Sequence, residues 1–189
     1  MDESPRCWTH HDLSDEQATA IAELMVATWP NPDKDVAVRA QVMQSLGAMP
    51  CPSEAASSRS FVLCDGGKVV AHASMQPREI ETQSGMLWVL GLAGVCADAS
   101  LRGKGLGKRI VQAALAMIDD GLAPFSLFQT SREVRPFYER LGACLVENPI
   151  VDSTADDPQS CPFWDNVAMR YPATDGWPQG TIDLRGPGY

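Results

Sequence analysis

The sequence predicts a mixed α/β domain, and three observations carry that prediction. Two turn signals, Gly66-Gly67 and Gln83-Ser84-Gly85, separate three apolar runs, which is the pattern of consecutive β-hairpins. A helical period follows, with Ile110, Val111, Ala114, Leu115 and Ile118 on one face and Gly121 at its end. A further apolar run, Phe125 to Gln129, then completes a strand–helix–strand unit. The 189 residues fit one domain, or one domain with a short tail, and can bury a sizeable core. There is no internal repeat and no low-complexity tract.

Taken in order, Arg6 to His10 reads as a first strand. Ser14 opens a helix with Gln17 three residues on, a capping-box spacing. Ile21, Leu24, Met25 and Trp29 carry the helical period until Pro30 stops it. A second helix spans Lys34 to Leu46, and Gly47 to Ser60 is a loop. Strands follow over Ser60–Asp65, over Lys68–Thr82 with an interruption at Pro77, and over Met86–Ala97. The last is apolar nearly throughout, as a central strand covered on both faces would be. Val134 to Leu141 is a short helix, and Ala143–Glu147 and Phe163–Tyr171 are two last strands flanking an acidic loop, Asp152 to Asp157. From Pro172 onward the chain is rich in Gly and Pro and has no period.

Composition narrows the function classes. A net charge of −9 argues against nucleic acid as a main partner, since phosphate binding needs a basic surface. It suits a cationic ligand. No apolar run approaches the ~20 residues that span a bilayer, and Met1 to His11 lacks the apolar core of a secretory signal. The six cysteines, at positions 7, 51, 64, 96, 144 and 161, form no C-x-x-C pair. They read as small hydrophobes in a reducing compartment, which makes the cytoplasm the expected location. Neither they nor His10, His11 and His72 have metal-site spacing, so no metal is expected.

The segment richest in chemistry runs from Val95 to Lys108, where an apolar strand passes through a short loop into a glycine-rich turn that begins a helix. Amides at such a turn have no intrahelical partner and lie at the positive end of the helix dipole. Glycines let a bulky anion approach the backbone, and Arg102, Lys104 and Lys108 add charge, so the segment reads as a pyrophosphate cradle. A P-loop would need G-x-x-x-x-G-K-[ST], but Lys108 and Arg109 stand where Gly and Lys belong. A Rossmann fingerprint would need a glycine at 110, where Ile110 stands.

Arg102-x-x-Gly105-x-Gly107 resembles the R/Q-x-x-G-x-G/A motif of the GNAT acetyltransferase superfamily. Downstream, Phe137-Tyr138-Glu139-Arg140-Leu141-Gly142 is similar to that family's F-Y-x-x-x-G element. The resemblance covers roughly Ser60 to Glu147. It implies an α/β (α+β) GNAT fold, a mixed central sheet of about six to seven strands splayed in the middle and flanked by about four helices. It also implies acetyl-CoA as co-substrate, with pantetheine pairing along Val95, Cys96 and Ala97. The pyrophosphate would rest on Arg102, Gly103, Lys104, Gly105, Leu106, Gly107 and Lys108. Ser131, Arg132 and Phe137 would approach the cofactor's far arm. Residues 1–171 would form the acetyltransferase domain and 172–189 a tail. Dimers are common in the superfamily, so a homodimer is compatible, although no interface signature is present.

The implied reaction is direct attack of an amine on the thioester, powered largely by positioning. Tyr138 matches the family's acid, a phenol that protonates the departing thiolate. Many relatives carry a glutamate base on the fourth strand, whereas Leu87–Ala97 holds no acid or histidine. Substitutes are Glu79, Glu81, His72, Asp183, the C-terminal carboxylate, or water. Ala71-His72-Ala73 with Arg78-Glu79-Ile80 loosely resembles the aminoglycoside 2′-N-acetyltransferase branch, although that branch's strand acid falls at Ala93. In the tail, Trp177, Asp183 and Tyr189 could pack over a cationic acceptor, or the tail could strap the surface or be disordered. Trp29 and Asp33 to Asp35 lie where relatives build an acceptor wall. The expected activity is therefore N-acetylation of a small-molecule amine. Acetylation of a protein or peptide amine and a non-catalytic acyl-CoA sensor are the competing readings.

Overall fold

The computed structural model describes residues 4–164 and 167–189. Asp165 and Asn166, in the strand expected over Phe163–Tyr171, lie outside the described residues, as do residues 1–3 of the N-terminal segment. The described chain contains four α-helices and nine strands, a mixed and mostly antiparallel open sheet consistent with the GNAT fold. Strand pairing runs β1-β2-β3-β4-β5-β8-β6, with β9 on β3 and β7 on β9. Contacts group the chain into two compact units, 1–76 with 92–116 and 77–91 with 117–189.

In the first unit, β1 (Arg6–Thr9) pairs antiparallel with β2 (Arg59–Asp65), and β2 with β3 (Lys68–Thr82). The β2–β3 hairpin turns at Gly66-Gly67, both at positive φ (55° and 85°), as a two-residue loop between twisted strands requires. Helix α1 (Asp15–Thr28) begins with the expected box: the Gln17 N–H donates to Ser14 Oγ (3.2 Å) and the Ser14 N–H to Gln17 Oε1 (3.0 Å). Asp35 caps α2 (Val36–Ser45) by accepting from the Val38 N–H at 2.9 Å. Arg39 on α2 donates to the carbonyls of Lys34 (3.0 Å) and Trp29 (2.8 Å), which fixes the link between the two helices. Leu13, Ile21, Leu24, Met25, Met43, Val62, Cys64, Val69 and Cys96 form this unit's core. Strand β4 (Gly85–Ala97) leads into α3 (Leu106–Asp119).

In the second unit, β5 (Ser126–Thr130) runs parallel to β4, registered at Leu90↔Ser126 and Gly91↔Leu127. It also runs antiparallel to β8 (Val167–Tyr171). Helix α4 (Arg135–Glu139) follows β5, and β6 (Cys144–Leu145) pairs with β8. Two strands come with no sequence period to announce them, β7 (Ile150–Val151) and β9 (Ile182–Asp183). Each is two residues long and exists through its pairing: Ile150↔Ile182, Val151↔Asp183 and Glu81↔Asp183. Ile80, Val89, Phe125, Leu127, Val146, Ile150, Phe163, Ala168, Ile182 and Leu184 form the second core.

Strand β3 is unbroken through Pro77, where an interruption was expected. The β2–β3 register ends at Arg59↔Met75, so on that edge the missing proline N–H interrupts no ladder. The strand expected over Phe163–Tyr171 has bends at Phe163 and Trp164 and runs as β8 from Val167, and that over Ala143–Glu147 shortens to Cys144–Leu145, with the Val146 N–H still donating to the Ala168 carbonyl of β8 at 2.9 Å.

The segment from Pro172 onward is built into the second unit. Arg78 donates to the carbonyls of Leu184 (3.1 Å) and Pro187 (3.0 Å), and its Cζ lies 5.1 Å from the Tyr189 ring centroid. Gln129 donates to the Tyr189 main-chain oxygen at 3.0 Å. The Tyr189 ring lies directly on Gly91, occupying the space that a Cβ there would need. Gly91→Ala should therefore cost about 1–3 kcal/mol of unfolding free energy through overpacking. The same change in a Tyr189→Ala background should cost clearly less, because the clash is gone. A urea double-mutant cycle measures both, and additive costs would contradict the contact.

Candidate active site

The first unit carries the strand–turn–helix segment. At the end of β4, the Asp98 carboxylate accepts from the Ser100 N–H (2.9 Å) and Ser100 Oγ (2.7 Å) and pairs with Lys68 Nζ (3.3 Å). The Ser100 hydroxyl and amide, then Lys68, hold that carboxyl below its ordinary pKa. A 3₁₀ turn over Ala99–Leu101 follows, then Gly103 (φ 82°) and Gly105 (φ 73°). Nothing lies within 4 Å of where a Cβ would stand on either glycine, so the backbone faces open space. The first rung of α3 is the Arg109 N–H to the Gly105 carbonyl at 3.1 Å. The amides of Leu106, Gly107 and Lys108 thus precede the helical ladder. Leu106 is buried and anchors the turn, while Arg102, Lys104 and Lys108 are exposed around it. Cationic side chains, a helix N-terminus and unobstructed glycines make a surface suited to a phosphate anion.

Val95, Cys96 and Ala97 form the last part of β4. Cys96 is buried in the core cluster that includes Leu24 and Met25, and burial pushes its thiol pKa up to about 12. One residue before Val95, Gly94 takes a positive φ of 59° within the strand. A Cβ there would stand 2.6 Å from Met25 Cε and 3.1 Å from His72 Cε1.

Beneath Gly94 runs a buried hydrogen-bond chain that sequence reading did not anticipate. Ser58 Oγ lies 2.7 Å from His10 Nδ1, His10 Nε2 lies 2.7 Å from Ser60 Oγ, and Ser60 Oγ lies 2.8 Å from His72 Nε2. His72 Nδ1 then meets the Gly94 carbonyl at 2.7 Å. A carbonyl only accepts, so Nδ1 carries the proton and Nε2 accepts from Ser60. The direction propagates: His10 Nε2–H donates to Ser60, and Ser58 donates to His10 Nδ1. Burial lowers the pKa of both rings to about 4, with His72 contributing to the shift at His10. His10, expected to close the first strand, instead opens a 3₁₀ turn over His10–Asp12, and its partners lie 48 and 50 residues away, beyond any local signal.

The second unit carries Ser131, Phe137 and Tyr138. The Ser131 carbonyl accepts from the N–H groups of Val134 (3.1 Å) and Arg135 (2.9 Å), which starts α4. Tyr138 is buried on α4, its ring 4.8 Å from that of Phe128 and 4.9 Å, edge-on, from that of half-buried Phe137. Burial raises the phenol pKa above its ordinary value, so it remains protonated at neutral pH.

The substitute bases named from sequence are otherwise engaged or exposed. Both ring nitrogens of fully buried His72 are in hydrogen bonds. Glu79 pairs with Arg185 at 3.3 Å, and Glu81 is exposed. Asp183 accepts from the N–H groups of Ser153 (3.0 Å) and Arg185 (2.8 Å), which outweigh its burial and hold its pKa low. Trp29 terminates α1 and Asp35 caps α2. Among the described residues, no group of three or more His, Cys, Asp or Glu side chains could hold a metal ion, and no helix is long and apolar enough to cross a membrane.

Comparison with known proteins agrees with this architecture. Residues 56–142, a little under half of the chain, match the acetyltransferase (GNAT) domain family. No curated protein matches the sequence. Among solved structures, an acyl-CoA N-acyltransferase from Pseudomonas aeruginosa superposes with a TM-score of 0.58 at 16% identity, over 88% of this chain and 97% of that one. Glucosamine-6-phosphate N-acetyltransferase from Arabidopsis thaliana gives 0.56 at 18% identity, over 74% and 91% of the two chains. A conserved protein from Enterococcus faecalis gives 0.55 at 17% identity over 74% of this chain, which spans 32% of that longer one. At these identities the likeness is one of fold. The chain thus carries a segment similar to the acetyltransferase (GNAT) domain family within a fold like that of these acyltransferase structures.

The neutral histidines have a measurable consequence. Below about 6.5 the unfolded chain protonates both rings while the folded chain excludes the protons until about 4. Stability should therefore fall as pH is lowered through that window. Urea unfolding at about pH 7 and about pH 5 tests this, and an unchanged free energy would contradict neutral burial.

Proposed function

We propose that this chain is an N-acetyltransferase that moves the acetyl group of acetyl-CoA onto the primary amine of a small cationic molecule by direct attack. The observation that carries the reading is the turn from Arg102 to Lys108, whose positive-φ glycines face open space and whose amides precede α3. In this reading the pyrophosphate lies on that turn, pantetheine pairs along Val95 to Ala97, and Ser131 and Phe137 approach the cofactor's far arm. The amine nitrogen attacks the thioester carbon, the C–S bond breaks, and the departing thiolate takes the proton of Tyr138. A phenol kept neutral by burial is suited to that role. In this reading water accepts the amine's proton, since fully buried His72 has both ring nitrogens in hydrogen bonds and Asp183 is held by the Ser153 and Arg185 amides. The chain's charge of −9 favours a cationic acceptor, and the resemblance around Ala71-His72-Ala73 makes aminosugars the first class to try. Residues 1–171 with the tail 172–189 would act together, in the cytoplasm, where six free thiols are at home.

A non-catalytic acyl-CoA sensor is the second reading, favoured by the absence of any acid or histidine over Leu87–Ala97. Acceptor-dependent release of free thiol from acetyl-CoA across aminoglycosides, polyamines, amino acids, arylamines and peptides separates the two. Tyr138→Phe should lower kcat by about 10²-fold or more while leaving acetyl-CoA affinity nearly unchanged. Undiminished turnover would remove Tyr138 from the mechanism. Gly105→Val, which places a branched side chain on a left-handed residue in the cradle, should weaken acetyl-CoA binding by about tenfold or more in calorimetric titration. Normal binding by that variant would refute the placement of the pyrophosphate.

A further inference from the structure

From the chain Ser58–His10–Ser60–His72–Gly94 we infer that His72 is a positioning residue, which aims the Val95 amide at the acyl carbonyl of bound acyl-CoA by holding the Gly94 carbonyl. The inference rests on the proposed acetyl-CoA reading. The Gly94 C=O and the Val95 N–H belong to one planar trans peptide unit, in which the two bonds point in opposite directions. His72 Nδ1–H fixes the carbonyl end inward, at 2.7 Å, so the Val95 N–H is turned outward from the buried network. The positive φ of 59° at Gly94 makes this orientation a departure from regular strand geometry that something must hold. Three features hold it. The glycine avoids Met25, His72 supplies the donor, and the serine–histidine chain locks His72 in the Nδ1–H tautomer by donating to its Nε2.

The same chain rules out a relay of protons to the substrate. Its last member is a carbonyl, which has no proton to pass on, so the line of hydrogen bonds ends at Gly94. What it transmits is orientation. A fixed amide facing the oxygen on which negative charge develops contributes only if it is held beforehand, because reorientation during the reaction would consume the gain. All the groups involved lie within the first unit, in the 3₁₀ turn at His10, on β2, β3 and β4 and in the loop at Ser58.

Two substitutions separate the ends of the imidazole. His72→Asn places an amide nitrogen near the position of Nδ1 and can keep the bond to Gly94. His72→Gln places one near Nε2, keeping the contact with Ser60 and losing Gly94. The readout is the ¹³C shift of the thioester carbonyl of [1-¹³C]acetyl-CoA bound to the full-length protein, alongside calorimetric affinity and steady-state kinetics. The wild-type protein and His72→Asn should move the bound carbonyl downfield of the free value, and His72→Gln should return it most of the way. With an acceptor, His72→Gln should lose about 10- to 100-fold in kcat with KM for acetyl-CoA within about threefold. Should His72→Gln not fold, Ser60→Ala leaves the ring in place but frees its tautomer, and a reduced shift is expected there too. If the wild-type protein does not bind acetyl-CoA, the proposed function fails. If it binds and the carbonyl shift is identical in the wild-type protein and the folded variants, the function stands and the role of His72 is overturned.

Discussion

The structure depends on a constraint within β4: at two positions the strand must have no side chain. Gly91 leaves the space filled by the ring of Tyr189, so the last residues of the second unit rest directly on the strand backbone. Gly94 leaves the space between Met25 and His72 and lets the chain adopt a conformation that other residues rarely take. Between them stand Leu92 and Ala93, and the Ala93 carbonyl accepts from Ser74 Oγ at 3.1 Å. At Ala93 and Gly94 side chains from β3 hold the peptide carbonyls of a strand that otherwise pairs as a ladder.

Desolvation is the second unifying agent. It keeps His10 and His72 uncharged, so their hydrogen bonds have one direction, and it keeps the Tyr138 phenol protonated. Burial is the largest cause of each of these states. The burial that stabilises each core also sets the chemical form of the polar groups within it. The chain's net charge of −9, by contrast, arises chiefly from exposed side chains and leaves these buried states untouched.

What was legible in the sequence was the local chemistry. Ser14 with Gln17 announced its capping box, Gly66-Gly67 its hairpin, and the period from Ile110 to Ile118 its helix, because each is encoded by neighbours within a turn or two. The end of α3 is a case in point: the Gly121 N–H bonds the Ile118 carbonyl at 2.9 Å and the Leu122 N–H that of Met117 at 3.0 Å, as a glycine after a helix leads one to expect. The glycine turn at 102–108 was legible for the same reason. Illegible were the features made by distant partners. β7 and β9 are too short to have a period, and the seat of Tyr189 depends on Gly91 and Arg78 from other strands. His72 and His10 gave no sign of sharing Ser60, because the residues that meet there come from a 3₁₀ turn and two strands. Pro77 misled in the opposite sense, since a breaker is harmless where the neighbouring strand has already ended.

Cys96 shows what such an arrangement protects. In the proposed reaction it adjoins Val95 on the strand edge along which a reactive thioester lies, and a thiol there invites exchange of the acyl group onto the protein itself. Its side chain is instead buried in the core cluster that includes Leu24 and Met25, and burial holds the sulfur as an unreactive thiol with a pKa of about 12. The alternation of the strand thus becomes a device for chemoselectivity. In that reading the backbone of residue 96 is offered to the acyl donor while its own nucleophile is kept in the core.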